Sequence, residues 1–410
     1  MKKLLLIEAN GMVGGDLLDA ARELGVEVHV ATHEELYRDY RPELKERIDG
    51  TVFTDLGDTE TAVRDLLSFA RERGVDGVVT GWEFFSPLVT RVAAELGLPG
   101  HDPERAAAAR NKRVMAQVFD AAGVPAPRTA VVSGPAEAAE ALARTGLDYP
   151  VVVKPCENAG SVGVSVVRGE QELAAAVEFA QGWPREFPHG TPLETTVLIQ
   201  EYIGGKEFSI ETVVFEEKYH HLAITEKFTT DDATRAEVGH TVPAALDAAA
   251  TEAVLATVEQ GLAALGFRYG VAHTELKLLE DNTARIIEVG ARPPGDHIVK
   301  LVREATGVSE ARAYLQAALG EHPDVLPTHH RAAAIRFLTP PSAGVLRSVE
   351  HLPEGPHTVA TALYAEPGKE LARPQDNISR VGHFILTAGT AEEVNRLAAD
   401  ALAAVRIELA

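Results

Sequence analysis

The sequence predicts a chain of mixed α/β and α+β class, opening on a doubly wound parallel α/β unit. Two observations carry the first half. Residues 3–8, KLLLIE, form a short apolar run of the kind that makes a strand buried on both faces, and a Gly-rich turn over 10–15 leads into a helix over 16–24. Strand and helix signals then alternate, with strands at 26–31 and 77–80 and helices at 61–73 and 87–96, and this alternation implies parallel strands with helical crossovers up to about residue 100. A third observation marks the change of class: a helical stretch over 104–122, with Asn111-Lys112-Arg113 inside it, ends at Val124-Pro125-Ala126-Pro127 and opens a new unit.

The turn Gly11-Met12-Val13-Gly14-Gly15 does not have the spacing G-x-G-x-x-G, and no acidic residue ends the second strand. A dinucleotide site is therefore not supported, and a tight strand-to-helix turn that needs small residues is the simpler reading. After 127, strands are expected at 149–154, 164–167, 197–202 and 207–216, with a Pro/Gly-rich linker or excursion over 182–192. An Ala-rich amphipathic helix follows at 244–265, then a hairpin, then a helix at 309–319. The tail from 331 holds short strands at 333–338, 359–364 and 383–386 and a helix at 391–405.

The net charge of −22 argues against nucleic acid or an anionic membrane as partner. The single cysteine, Cys156, excludes an intrachain disulfide and a multi-cysteine metal site, and fits a reducing compartment. The apolar run at 4–7 is too short for a signal peptide, and no run reaches the roughly 18 apolar residues of a membrane span. A soluble, cytoplasmic protein is expected.

The chemistry concentrates in four places. Val151-Val152-Val153-Lys154-Pro155 reads as a buried strand carrying a lysine, followed by the small-residue loop ENAGSVG at 157–163, which can bring backbone N–H groups close to an anion. The stretch IQEYIGGKE follows at 199–207: Gln200 ends a strand, Ile203-Gly204-Gly205 bends, and Glu207 opens the next strand. A bent backbone there exposes groups able to read an adenine edge, and Glu207 is placed to accept from ribose hydroxyls. In HTELKLLEDNTARIIEVGAR, residues 273–292, Asp281-Asn282 signals a hairpin turn, and a loop centred there sets Glu275 directly opposite Glu288. Opposed carboxylates are destabilising unless a cation lies between them, so the pair suggests a divalent metal, with Arg292 two pleats along. His240 sits between Gly239 and Thr241-Val242-Pro243, where a loop is expected; His273 shares a face with Glu275, as a metal ligand or a core residue.

Taken in order, Lys112, Lys154, the Gly/Ser loop, QEYIGGKE and the Glu/Glu/Arg hairpin resemble the ATP-grasp superfamily over roughly residues 1–320. The resemblance implies an ATP-grasp fold with three units: an N-terminal α/β domain over 1–100, a small subdomain over 101–190, and a large subdomain with a C-terminal extension over 191–410. It implies that Lys112 and Lys154 contact phosphates, that Ser161 lies in a loop over the triphosphate, that Gln200, Glu201 and Ile203 hold adenine, and that Glu207 binds ribose. Glu275 and Glu288 would carry two Mg²⁺ (or Mn²⁺), and Arg292 would stabilise transferred phosphoryl charge. Many members have E-x-N-P-R where this chain has Glu288-Val289-Gly290-Ala291-Arg292, so Gly290 replaces an asparagine ligand. With GHDPERAAAARNKRVM at 100–115, GARPPGDHI at 290–298 and ISRVGHFILTAG at 378–389, the chain is similar to the L-amino acid ligase and carnosine synthase branch. That branch implies His240 near the acyl group and Asp296 in the pocket of the first substrate. The expected activity is ATP-dependent joining of a carboxylate and an amine through an acyl phosphate, in a monomer or homodimer acting on small molecules. Other ATP-grasp ligases, purine-pathway or carboxyphosphate-forming, and a non-catalytic ATP-binding module stand as alternatives.

Overall fold

The computed structural model describes residues 1–230, 236–372 and 377–410. Its first sheet is four-stranded and all parallel, in the order Gly50–Phe53, Glu27–Thr32, Lys3–Ile7, Gly77–Thr80. The run at 4–7 is fully buried, as a central parallel strand demands. Leu5 and Ile7 face Leu66, Leu67 and Phe85 on one side. Leu4 and Leu6 face Leu17 and Leu18 on the other, together with Val302, Tyr314 and Leu315 from far along the chain. The N-terminal sheet therefore shares a core with the rest of the molecule. The turn after the first strand is tight: a Cβ on Gly14 would lie 1.9 Å from the Ala9 carbonyl oxygen, so only glycine fits.

A second, antiparallel sheet has the order Thr129–Val132, Val197–Glu201, Val151–Pro155, Ser165–Val167, with helices Ala138–Thr145 and Glu170–Gln181 packed on it. Residues 197–201, placed with the larger unit by the sequence reading, instead hydrogen-bond to both neighbours in this small sheet. The boundary near 190 thus falls inside an excursion rather than between sheets. The helix before this sheet also differs from expectation. It starts at Lys112, not near 104, because the Asn111 side chain caps it, accepting from the backbone N–H groups of Arg113 (3.0 Å) and Val114 (3.2 Å).

The third sheet has eight strands, ordered Ala284–Gly290, Tyr269–Leu278, Lys206–Phe215, Lys218–Thr229, Glu237–Val242, Ala332–Leu338, Gly382–Ala388, Thr358–Leu363. Helix Ala248–Ala264 covers one face near the hairpin, and helices Ile298–Thr306 and Glu310–Ala318 lie across the sheet toward the N-terminal unit. The C-terminal extension therefore continues the large sheet. No helix among the described residues is long and apolar enough to cross a membrane.

The Pro/Gly-rich stretch after residue 182 is an excursion, and it is pinned. His189 is buried at the C-terminal end of the first strand, with Nε2 2.8 Å from Glu8 and Nδ1 3.0 Å from Glu186. Its ring meets Trp82, Phe85 and His33 edge-on, and Tyr40 donates to Glu8. The small unit is thus clasped to the N-terminal unit by a buried imidazolium between two carboxylates. Burial disfavours the charged ring, but the hydrogen bonds it donates to Glu186 and Glu8 outweigh this and raise the His189 pKa to about 9. A raised folded-state pKa contributes stability that is complete below about pH 6.5 and is lost as pH rises through 9. Thermal unfolding followed from pH 6 to 10 is expected to show a loss on the order of 2–3 kcal/mol that is absent from His189→Gln. Equal pH slopes in the two proteins would contradict the clasp.

Candidate active site

A cleft lies between the small and large sheets, and Lys112, Lys154, Ser161, Gln200, Glu201, Ile203, Glu207, Glu275, Glu288, Arg292 and Asp296 all line it. The hairpin is the organising element. Glu275 does pair directly with Glu288, as expected, but by a different route. Leu278 pairs with Ala284 and the Leu279 N–H donates to the Thr283 carbonyl, so the turn is one residue longer, with Asn282 left-handed at φ 64°. A β-bulge at Ile287 then shifts the register by one and brings the two glutamates opposite each other.

Their charges are not shared with one cation between them. Glu288 pairs with Lys112 at 2.8 Å, and Glu275 pairs with Lys227 and with His273 at 3.2 Å. Burial opposes ionisation of Glu275, yet Lys227 and His273 hold its pKa well below the usual carboxylate range. Lys227 is itself buried and also meets Glu237, with Glu207 at 3.7 Å.

At the other wall, Lys154 is 5% exposed on its strand, and burial lowers its pKa to about 8 against the pull of Glu288 and Glu275. Lys112, at the start of its helix, donates to the Asn158 carbonyl at 2.6 Å and so touches the Gly/Ser loop directly. In that loop Gly160, Ser161 and Gly163 take positive φ, which turns backbone groups about a concave path. Its base is fixed where Arg110 donates to the Glu157 carbonyl (2.7 Å) and Asn111 to the Glu157 side chain (3.0 Å). Gln200 donates to Thr129 at 2.9 Å, Glu201 is held by Arg285 at 3.3 Å, and Glu207 by Lys277 at 2.7 Å.

Arg292 donates to Glu83 at 2.6 Å and to the Pro293 carbonyl at 2.9 Å. Glu83 arrives from the N-terminal unit. Burial opposes its charge, but Arg292, Arg110 and Lys112 keep it ionised. A Cβ on Gly290 would stand 3.1 Å from the Glu83 carboxylate, so Gly290 makes the room that Glu83 uses. Sequence reasoning missed Glu83, Lys227, Lys277 and Glu237. Each sits in an ordinary strand or short helix, and only long-range pairing brings it to the cleft.

His240 is not in a loop. It lies fully buried on strand Glu237–Val242, paired with Lys227 and Ile335, because its strand is central in the large sheet. It stands behind the cleft wall, 3.3 Å from Asp296. Asp296, at φ 52°, is gripped by Arg380 at 2.6 and 2.9 Å, and Arg380 stacks on Phe337. The acid that the resemblance implies for the first substrate's pocket is therefore already neutralised from the C-terminal extension.

A family model described as the ATP-grasp domain matches residues 147–300, and one for the ATP-grasp N-terminal domain matches 18–100. L-amino acid ligase C-terminal domain 2 matches 336–410. Relatives include an uncharacterized protein of Sinorhizobium fredii, 26% identical over 94% of this chain and 79% of its own length. An alanine–anticapsin ligase of Bacillus subtilis is 25% identical over 62% of this chain and 56% of its own length, so the match spans little more than half of that enzyme. The crystal structure of an L-amino acid ligase from Bacillus licheniformis superposes with a TM-score of 0.82 at 24% identity, covering 100% of this chain and 99% of the other. With this fold and these three matched segments, the chain carries an ATP-grasp N-terminal domain, an ATP-grasp domain and an L-amino acid ligase C-terminal domain.

Proposed function

We propose that the protein is an ATP-dependent ligase that joins the carboxylate of one amino acid to the amine of another, releasing ADP and phosphate. The observation that carries this reading is the convergence of Glu275, Glu288, Arg292, Lys112 and Lys154 in one cleft between two sheets. In this reading the chain divides into an N-terminal unit to about residue 100, a small unit whose sheet reaches residue 201, and a large unit beyond it.

The donor set fits Mg²⁺. Glu275 and Glu288 offer hard carboxylate oxygens; Lys227 and His273 meet Glu275 at Oε1, and Lys112 meets Glu288 at Oε1. Bound there, Mg²⁺ would neutralise and orient the triphosphate. Lys154 and Lys112 add fixed positive charge beside it, and the loop at 157–163 closes over the phosphates. Gln200, Glu201 and Ile203 line the adenine end, with Glu207 at the ribose. A substrate carboxylate oxygen attacks the γ-phosphorus; the bond from phosphorus to the ADP oxygen breaks, leaving an acyl phosphate. The amine nitrogen then attacks the acyl carbon, the bond to phosphate oxygen breaks, and the amine proton is lost. Both steps need positioning and charge neutralisation more than covalent help, and Arg292 is placed to stabilise the transferring group and the tetrahedral oxyanion. His240 acts through Asp296 and is a positioning residue. Because Arg380 neutralises Asp296, the substrate end favours polar, uncharged contacts over capture of a cationic side chain.

ADP release screened over pairs of the twenty amino acids should reveal a pair-dependent rate that EDTA abolishes. Glu288→Gln and Arg292→Ala should each lower it by at least about 100-fold. Turnover unchanged in both variants, or release that never depends on amino acids, would contradict the assignment. The Glu83–Arg292 contact yields a second expectation. Gly290→Ala crowds the Glu83 carboxylate and should cost about 1–2 kcal/mol. In a Glu83→Ala background the same substitution should cost at least about 0.5 kcal/mol less, measured by denaturant unfolding. Strict additivity would mean that Gly290 is not there for Glu83.

A further inference from the structure

His273 and Glu211 occupy directly opposite positions on neighbouring strands of the large sheet. Glu211 is wholly buried, in the middle of strand Lys206–Phe215. Its Oε1 accepts from Ser209 at 2.7 Å and from Thr225 at 3.4 Å, and its Oε2 lies 2.8 Å from Nδ1 of His273. The other ring nitrogen, Nε2, lies 3.2 Å from Oε1 of Glu275. Both ring nitrogens are thus taken by carboxylate oxygens, and neither is left as a metal ligand. Lys227, from strand Lys218–Thr229, reaches the same Oε1 of Glu275. Two donors from two directions fall on one oxygen, while Oε2 has no partner among the described residues.

Resting on the metal reading above, we propose that Glu211 and His273 are a positioning pair for Glu275: they anchor Oε1 and so present Oε2 to the divalent cation. The sequence left His273 open between ligand and core residue; the geometry gives it neither task. A carboxylate tethered at one oxygen loses rotational freedom before the cation arrives, and such outer partners typically change metal affinity by about 10–100-fold. Ser209 and Thr225 matter by the same logic, since they fix the carboxylate that fixes the ring.

The test is Mn²⁺ binding to the full-length chain in the presence of ADP, followed by electron paramagnetic resonance. His273→Leu is expected to weaken Mn²⁺ about tenfold, while ADP binding measured in EDTA stays unchanged. The Mg²⁺ concentration for half-maximal ADP release should rise in parallel, which a loss of folded protein alone would not produce. His273→Asn keeps a donor toward Glu211 but is too short to reach Glu275; it should show the same loss and serves if the leucine variant does not fold. Glu275→Gln is the control. If Glu275→Gln weakens Mn²⁺ and both His273 variants do not, the positioning role is wrong. If Glu275→Gln leaves Mn²⁺ binding intact, the metal reading itself falls.

Discussion

Two carboxylates face each other across one antiparallel pair, and much of the cleft is arranged to make that tolerable. Opposed like charges on neighbouring strands destabilise a sheet. Here each glutamate has its own ammonium partner, Lys112 for Glu288 and Lys227 for Glu275. The two lysines come from different parts of the chain: one opens the helix before the small sheet, the other lies in the large one. The Lys112–Glu288 pair therefore joins two units as well as shaping the site, while the Lys227–Glu275 pair lies within the large sheet. Lys112 links the hairpin to the Gly/Ser loop, since the same ammonium meets Glu288 and the Asn158 carbonyl.

The N-terminal unit is tied in by two further contacts of the same kind. Glu83 reaches Arg292 in the cleft, and Glu8 holds His189 of the small unit. Both acids are buried, and removing one partner of a buried pair typically costs about 3–5 kcal/mol, because a charge is left unpaired. Neither pair needs to be strongly stabilising overall; what each does is make any other arrangement of the units expensive. Gly290 belongs to this logic. A residue with a side chain there would compete for space with the Glu83 carboxylate.

The parallel start of the chain, the strand carrying Lys154 and the strand opened by Glu207 were legible because local pattern sets them, whereas Lys112 was reached only through the resemblance and the Glu275–Glu288 pairing by a turn one residue too short. Apolar runs of four residues report a buried strand, and Gly/Ser loops report where backbone must come close to something. The route of the hairpin was not legible. The turn is one residue longer than its Asp-Asn signal implies, and the bulge at Ile287 restores the register; two departures cancel. A bulge is selected by packing and by the cleft that Ile287 lines, neither of which is written in neighbouring residues. His240 was misread for a related reason. Glycine and proline around it signal a loop, yet its strand lies at the middle of the large sheet, where pairing on both sides overrides local preference. Glu83 and Lys227 carry no motif at all, since their meaning comes only from partners roughly fifty to two hundred residues away.

The overall charge of −22 and a cleft lined with lysine and arginine are compatible. Over distances beyond about 10 Å, surface charges are screened at ordinary salt, whereas buried pairs are screened far less. The field that an incoming ligand meets is therefore local. Lys112, Lys154, Lys227, Lys277, Arg292 and Arg380 stand against Glu83, Glu207, Glu237, Glu275, Glu288 and Asp296, each base bound to at least one acid except Lys154. Lys154 has no ion pair among the described residues, and its lowered pKa reflects that isolation in a dry wall. An anion entering the cleft would give it the partner the fold withholds, and burial would strengthen that attraction. The cleft lysine without an ion pair among the described residues thus lies beside the loop that Gly160, Ser161 and Gly163 turn through positive φ.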